Sequence, residues 1–329
     1  MKTKKPLLIV LGEPNSVFIE ILSKVLNNIL IKKKINFPII LIGSKDLISS
    51  QLKMLNMKLS LEILNGKNYN FNNLKNKVYI IDVVYKFKKP FEIITNKSKN
   101  YITKCFDIGL KYLNNRLCDI LINGPISKKN FLNNNYPGIT EYVFKKSNKK
   151  ISKYPTMLIF NNKMSVSPIT THIPLKNVNK NIDQKIIIEK VTTIKNFYKS
   201  KLKINPKIAI TGLNPHCETN SSFNEEKRII KPAIKKLKKR KIKVSGPFST
   251  DTFFIKKNIN NYDCVVGMYH DQILTPFKTI FGFDATNITL GLPFVRMSVD
   301  HGPNYEMVGK NISSTKSLEN IFNLINKIK

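Results

Sequence analysis

The sequence predicts an α/β fold with a largely parallel core sheet. Seven short, β-rich apolar runs alternate along the chain with five longer helical patterns, the rhythm of strands joined by crossover helices. Several of the short runs are apolar throughout rather than alternating, as expected of strands covered on both faces. The 329 residues, 42% of them hydrophobic, suffice for one large domain or two lobes.

In chain order, strands are predicted at "LLIVL" (7–11), "FPIILIG" (37–43), "VYIIDVV" (78–84), "CDILING" (118–124), "TMLIF" (156–160), "KIAITGL" (207–213) and "DCVVGMY" (263–269). Helices are predicted near 16–31, 99–115, 184–200, 223–240 and 315–328. The Asn-rich "NGKNYNFNNLKNK" (65–77) reads as a loop. "KPAIKKLKKRKIKV" (231–244), the densest charge run, reads as the solvated face of a helix leading into a strand. There is no internal repeat and no Gly/Ser-rich linker.

A formal net charge of +35 suggests a nucleic-acid binder at first sight. The cations, however, are 52 lysines and only four arginines, Arg116, Arg228, Arg240 and Arg296. Selection for phosphate and base contacts would recruit arginine, whose planar fork reads both. Abundant Lys, Asn and Ile point instead to drift in an AT-rich genome, and no basic patch with interleaved aromatics is present. No specific nucleic acid is expected as a partner. The N-terminal apolar run of five residues is too short for a signal peptide. No stretch approaches the roughly 20 apolar residues of a membrane span. Cys105, Cys118, Cys217 and Cys264 show no paired spacing, which suits a reducing compartment. These features lead us to expect a soluble, cytoplasmic protein.

Histidine is scarce, and its placement is informative. Three of the four histidines each follow a predicted strand: His172 after "SVSPITT", His216 after "IAITGLNP" and His270 after "CVVGMY". Ligands of open α/β sheets gather at the carboxyl ends of strands. Three distant segments can therefore deliver imidazoles, common ligands of zinc and similar divalent ions, to one place. The plainer reading is three separate structural histidines, since no H-x-x-x-H pair exists. Asp271, beside His270, and Asp251, in "STDTFF", are candidate ligands or supporting groups. Their plainer reading is capping. Cys217 reads as a small buried residue rather than a soft ligand. Downstream, Lys278, Asn287 and Arg296 recur at nine-residue intervals through a segment dense with Gly and Pro. A point charge, an amide and a fork donor are what a phosphate or carboxylate clamp requires. Against this stands a surface loop with ordinary charges.

"INGPISK" (122–128), "TTHIPL" (170–175), "GLNPH" (212–216), "MYHDQ" (268–272) and "NITLGLPFVRMSVDHG" (287–302), with "GEP" at 12–14, together resemble the 4-hydroxythreonine-4-phosphate dehydrogenase family of pyridoxal phosphate biosynthesis. The resemblance spans nearly the whole chain. It implies an isocitrate-dehydrogenase-like fold: two α/β lobes around an interlobe cleft, approximately 1–125 plus 285–329 and 126–284. It also implies oxidation of the secondary alcohol of 4-phosphooxy-threonine by NAD or NADP, then loss of carbon dioxide to give an amino-ketone phosphate. By the same resemblance His172, His216 and His270 hold a divalent metal (Zn, Mg, Co or Mn), in a site shared by the two subunits of a homodimer. Thr140, Lys278, Asn287 and Arg296 match positions that hold the phosphorylated substrate. "SVDHGPNYEMVG" (298–309) is similar to segments that seat the nucleotide, which would place His301 and Gly302 beside the cofactor. The general base is not identified.

The chain departs from the family pattern in three places. "GITE" (138–141) carries Ile139 where the family has histidine. A buried phosphate that loses one such hydrogen bond loses roughly 1.5–3 kcal/mol of binding. "GEPNSVFIE" (12–20) replaces a Gly-rich turn, and "CETNSSFNEE" (217–226) replaces a Gly-rich loop. These changes leave open a sister substrate, such as a phosphorylated four-carbon sugar acid. They also leave open a catalytically impaired relative that still binds metal or ligand.

Overall fold

The computed structural model describes residues 4–32, 35–64, 71, 73–132, 135–218, 224–282 and 284–329. The expected loop at 65–77 and the altered loop at 217–226 lie partly outside these residues. Two units divide the chain: Met1–Lys149 with Pro293–Lys327, and Lys150–Leu292. The sequence reading put these boundaries at 125/126 and 284/285. Residues 126–149 stay with unit 1, where Phe131 stacks on Phe106 and Tyr142 meets it edge-on, at ring centroids of 6.1 and 5.5 Å. Residues 286–290 stay with unit 2 because they pair with 156–160.

Unit 1 holds strands β1 (Leu7–Val10), β2 (Ile39–Gly43), β3 (Glu62–Ile63), β4 (Val78–Asp82), β5 (Ile120–Asn123) and β12 (Val295–Val299). Their order is β3-β4-β2-β1-β5-β12, and every neighbouring pair is parallel. All four residues of β1 are fully buried, as a central strand between helical layers must be. The helices are α1 (Phe18–Ile31), α2 (Lys45–Met54), α3 (Lys99–Asn114), α4 (Ile139–Lys146) and α10 (Lys316–Ile328). On α1 the buried Phe18, Ile21, Leu22, Val25 and Leu26 recur at three- and four-residue spacing, one apolar face of a helix. The sequence reading did not anticipate α2, whose buried face is only Leu47, Ile48, Gln51 and Leu52. Its start is set by Ser44, whose hydroxyl accepts the Leu47 N–H at 3.3 Å.

Strand order reverses at β1, which lies between β2 and β5, so the loops after β1 and β5 meet. Gly12 has φ +77°, and a Cβ there would lie 2.5 Å from the Pro125 carbonyl oxygen. A Cβ on Gly124 would lie 2.1 Å from the Leu11 carbonyl oxygen. The Glu13 N–H donates to Pro125 O at 2.8 Å. Beyond Gly12 the altered turn relies on side chains rather than glycines. The Ser16 hydroxyl donates to Glu13 O at 2.8 Å, and the Glu92 N–H donates to Asn15 Oδ1 at 3.0 Å. The Glu13 carboxyl is buried and accepts from Ser98 Oγ at 3.0 Å. Burial pushes its pKa up, against the pull of Ser98 and Asn15.

Unit 2 holds β6 (Thr156–Phe160), β7 (Ser165–Pro168), β8 (Ile208–Thr211), β9 (Val244–Phe248), β10 (Cys264–Gly267) and β11 (Thr286–Leu290). The order is β11-β6-β7-β10-β8-β9. β6 runs antiparallel to β11 and β7, and the remaining pairs are parallel. Its helices are α5 (Gln184–Phe197), α6 (Lys231–Lys239), the single turns α7 (Thr250–Phe253) and α8 (Lys256–Ile259), and α9 (His270–Phe281). Asp183 caps α5 by accepting the Ile186 N–H at 2.7 Å. On α6 Ala233, Ile234 and Leu237 face inward while Lys231, Lys235, Lys236, Lys238 and Lys239 are exposed, so the charge run is a solvated helix face. The Gly- and Pro-dense segment after α9 is not a surface loop. It forms β11 and β12, with Asn287 and Arg296 inside strands.

The α/β class with largely parallel sheets is therefore present, and so is each of the seven strands and five helices expected from the sequence. All four cysteines are free thiols. Among the described residues no helix is long and apolar enough to cross a membrane.

Two outcomes are expected. Gly124→Ala forces backbone against backbone at the crossing of the two loops and should lower stability by roughly 1–3 kcal/mol in urea unfolding. For Glu13, the folded pKa lies above the ordinary 4.5. Between 4.5 and that raised value the folded state binds more protons than the unfolded state, so stability falls as pH rises through the window. Glu13→Gln removes this term. Its stability relative to the native chain should climb from pH 4.5 towards neutrality, read by urea unfolding at each pH.

Candidate functional site

Within unit 2 the strands β7, β10, β8 and β9 are consecutive neighbours, all parallel. Each delivers a polar side chain just past its carboxyl end. His172 comes four residues after Pro168, His270 three after Gly267, His216 five after Thr211 and Asp251 three after Phe248. The chain order of these strands is not their spatial order, because β10 inserts between β7 and β8.

The side chains form two pairs. The His172 and His270 rings lie 5.8 Å apart between centroids, tilted by 43°. Two imidazoles sharing one ion, with metal–nitrogen bonds of about 2 Å, would bring their centroids to roughly 5 Å. The observed spacing fits that chemistry with a small closure. Asp271 Oδ1 stands 2.6 Å from His270 Nδ1. Asp251 Oδ2 stands 3.5 Å from His216 Nδ1. The Ser249 hydroxyl, and to a lesser degree His216, hold the Asp251 carboxyl below its usual range. Among the described residues no three His, Cys, Asp or Glu side chains are gathered tightly enough to hold an ion as they stand. The imidazole at His216 is largely exposed, on a residue with left-handed backbone, φ +54°. Cys217 is packed: its Sγ lies 2.6 Å from where a Gly212 Cβ would be, and burial pushes its thiol pKa up. It acts as a small apolar residue.

The strand ends are tied to one another. Gln272 Oε1 accepts the Met268 N–H at 2.7 Å and the Thr211 hydroxyl at 3.2 Å. Gln272 Nε2 donates to Gly212 O at 2.7 Å. One side chain thus locks the end of β10 to the end of β8. Thr170 does the same between β7 and β10, donating through N and Oγ1 to Met268 O at 3.1 and 2.8 Å. The buried Lys190 Nζ donates to Ile169 O at 2.8 Å. The sequence reading assigned no role to Gln272, Thr170 or Lys190. Two of them carried a signal: Gln272 by its place in "MYHDQ" and Thr170 by its place in "TTHIPL".

The expected anion-binding residues are divided between the units. Lys278, on α9, and Asn287, on β11, are half-buried in unit 2. Thr140 and Arg296 are buried in unit 1. The Arg296 guanidinium is fully buried, and its Nε donates to Asn123 Oδ1 at 2.7 Å. Burial pushes its pKa down to about 9, opposed by the negative charge of Glu141. It remains a cation at neutral pH, and an incoming anion would relieve the penalty of burying it. Ile139 is the first residue of α4 and half-buried, with Thr140 next in line. His301 and Gly302 follow β12, and His301 Nδ1 lies 2.9 Å from Gly302 O.

The model of a family described as "Pyridoxal phosphate biosynthetic protein PdxA" matches residues 34–325. The chain belongs to the PdxA family. A 4-hydroxythreonine-4-phosphate dehydrogenase from Sulfurihydrogenibium sp. (strain YO3AOP1) is 37% identical over 315 residues, 94% of each chain. The solved structure of a 4-hydroxythreonine-4-phosphate dehydrogenase from Klebsiella pneumoniae superposes with a TM-score of 0.77 at 24% identity, covering 98% of each chain. A more distant β-decarboxylating dehydrogenase from Thermococcus kodakarensis shares the fold at a TM-score of 0.50 and 10% identity, over 98% of this chain and 83% of that one. Curated PdxA-family relatives are thus named as dehydrogenases, a class of oxidoreductase.

Gln272→Ala removes three hydrogen bonds and leaves the Met268 N–H without its acceptor. A loss of roughly 1–3 kcal/mol in urea unfolding is expected.

Proposed function

We propose that this PdxA-family chain is an NAD- or NADP-dependent 4-hydroxythreonine-4-phosphate dehydrogenase assisted by a divalent metal, working in the cytoplasm as a homodimer. It would oxidise the secondary alcohol of 4-phosphooxy-L-threonine, and the resulting β-keto acid would lose carbon dioxide to leave 3-amino-2-oxopropyl phosphate. The observation that carries this reading is the delivery of His172, His270, His216 and Asp251 by four adjacent parallel strands.

His172, His216 and His270 would hold the ion. Asp271 Oδ1 lies within hydrogen-bonding distance of His270 Nδ1, an arrangement that would leave Nε2 for a ligand role, while Asp251 stands 3.5 Å from His216 Nδ1. Arg296, Lys278, Asn287 and Thr140 would hold the phosphate, with Arg296 supplying a buried full charge. His301 and Gly302 would sit beside the nucleotide. When bound, the ion supplies Lewis acidity towards the reacting oxygen and the nicotinamide accepts the hydride.

Ile139 favours a second reading. An apolar side chain at the start of α4, beside Thr140, removes a donor from the expected substrate position. That would suit a related substrate such as a phosphorylated threonate or erythronate.

The test is NADH absorbance with 4-phosphooxy-threonine, NAD and a divalent metal, native chain against His270→Ala. Loss of a group that merely supports a ligand typically costs 10–100-fold, so loss of the ligand itself should cost more than ~100-fold. NADH from a sugar-acid phosphate instead would establish the second reading. A folded, metal-loaded native chain that makes no NADH from either substrate would be a binding relative and not an enzyme.

A further inference from the structure

Glu226 is a fully buried carboxylate remote in sequence from any strand end. It opens the π turn Glu226–Ile230 that leads into α6. Its Oε1 accepts two backbone N–H groups, Leu213 at 2.7 Å and Asn214 at 2.8 Å. Its Oε2 accepts the Asn214 side-chain amide at 3.0 Å. That amide also donates to Glu225 Oε2 at 2.9 Å. A carboxylate that accepts several N–H groups makes short, charge-assisted bonds, about twice as strong as neutral ones.

What the carboxylate grips is the hinge of the His216 turn. Leu213 and Asn214 directly precede Pro215, His216 and Cys217, and both His216 (φ +54°) and Cys217 (φ +60°) are left-handed. Two successive left-handed residues without glycine are unfavourable and persist only where the surroundings impose them. Pro215 contributes no N–H. Gly212 belongs to the same arrangement: a Cβ there would lie 3.1 Å from Glu226 Oε1 and 2.6 Å from Cys217 Sγ. Gln272 Nε2 donates to the Gly212 carbonyl at 2.7 Å.

We propose that Glu226 is a positioning residue for His216: its carboxylate clamps Leu213 and Asn214 so that the left-handed turn presents the imidazole at the end of β8. The inference rests on the reading of His216 as a metal ligand. It goes further by assigning the geometry of the third ligand to a buried acid on a different element.

The test uses Co2+ as the probe and the full chain of the native protein, Glu226→Gln and Glu226→Ala. Glu226→Gln keeps the volume and one acceptor, so it is the variant that retains the fold. Its amide would face the Asn214 amide donor to donor. Titration calorimetry should show Co2+ affinity falling about 10-fold in Glu226→Gln and up to ~100-fold in Glu226→Ala. The visible Co2+ absorption band should change in intensity, and amide exchange should accelerate at residues 212–217 alone. A purely structural Glu226 would lower the metal-free melting temperature while leaving affinity and band as in the native protein. That result in the folded variants overturns the inference and spares the metal reading. A native protein that binds no Co2+ overturns both.

Discussion

Parallel pairing in register along β7, β10, β8 and β9 is the constraint on which the candidate site depends. Parallel strands end on the same edge of a sheet, so residues just past their carboxyl ends are neighbours whatever their separation in sequence. His172 and His270 are 98 residues apart in the chain, yet their rings lie 5.8 Å apart. The pairing Gly267↔Pro168 sets that proximity, Thr170 holds it after the ladder has ended, and Gln272 ties the end of β10 to the end of β8. A slip of one residue in either ladder would turn every buried side chain of the strand to the other face. The hydrophobic packing of Val166, Ala209 and Val265 therefore protects the site as well as the core.

Charge is handled very differently outside and inside. The surface carries the lysine excess, as on α6, where five lysines point to solvent over a narrow apolar face. The interior admits few ionisable groups and gives them defined partners. Arg296 bonds Asn123, Glu13 accepts from Ser98, and Glu226 gathers three N–H donors. A buried charge is tolerable only when it is hydrogen-bonded or paired. These groups are therefore where function or fold demanded an exception, whereas exposed lysines such as those of α6 carry the charge excess at the surface.

The departures from the family pattern differ in their consequences. The turn after β1 lost glycines but closes through Asn15 and Ser16, and the tight crossing with the β5 loop is preserved by Gly12 and Gly124. Backbone geometry has been re-supplied there by side chains. Ile139 is a different case, because an apolar side chain cannot itself donate a hydrogen bond. The turn at 12–20 is a matter of folding, while position 139 matters only through the substrate reading proposed above.

The sequence by itself determined the alternation of strands and helices, the solvated lysine face of α6, and the suspicion that three scarce histidines at strand ends act together. Each of these is written in short-range patterns of apolar residues, which burial enforces locally. It did not reveal α9, where Pro276 and the abrupt start at His270 mask the helical period. Nor did it reveal β11 and β12, whose Gly and Pro neighbours resemble a loop. Only the tertiary structure decided that β10 lies between β7 and β8, so that the strand leading to His270 lies between those leading to the other two histidines. Only the tertiary structure brought both Glu226 and Gln272 onto the backbone that leads into the His216 turn. The physical reason is that strand neighbours are chosen by crossover geometry and by burial of whole faces. Those are properties of the assembled sheet, and no local stretch of sequence carries them.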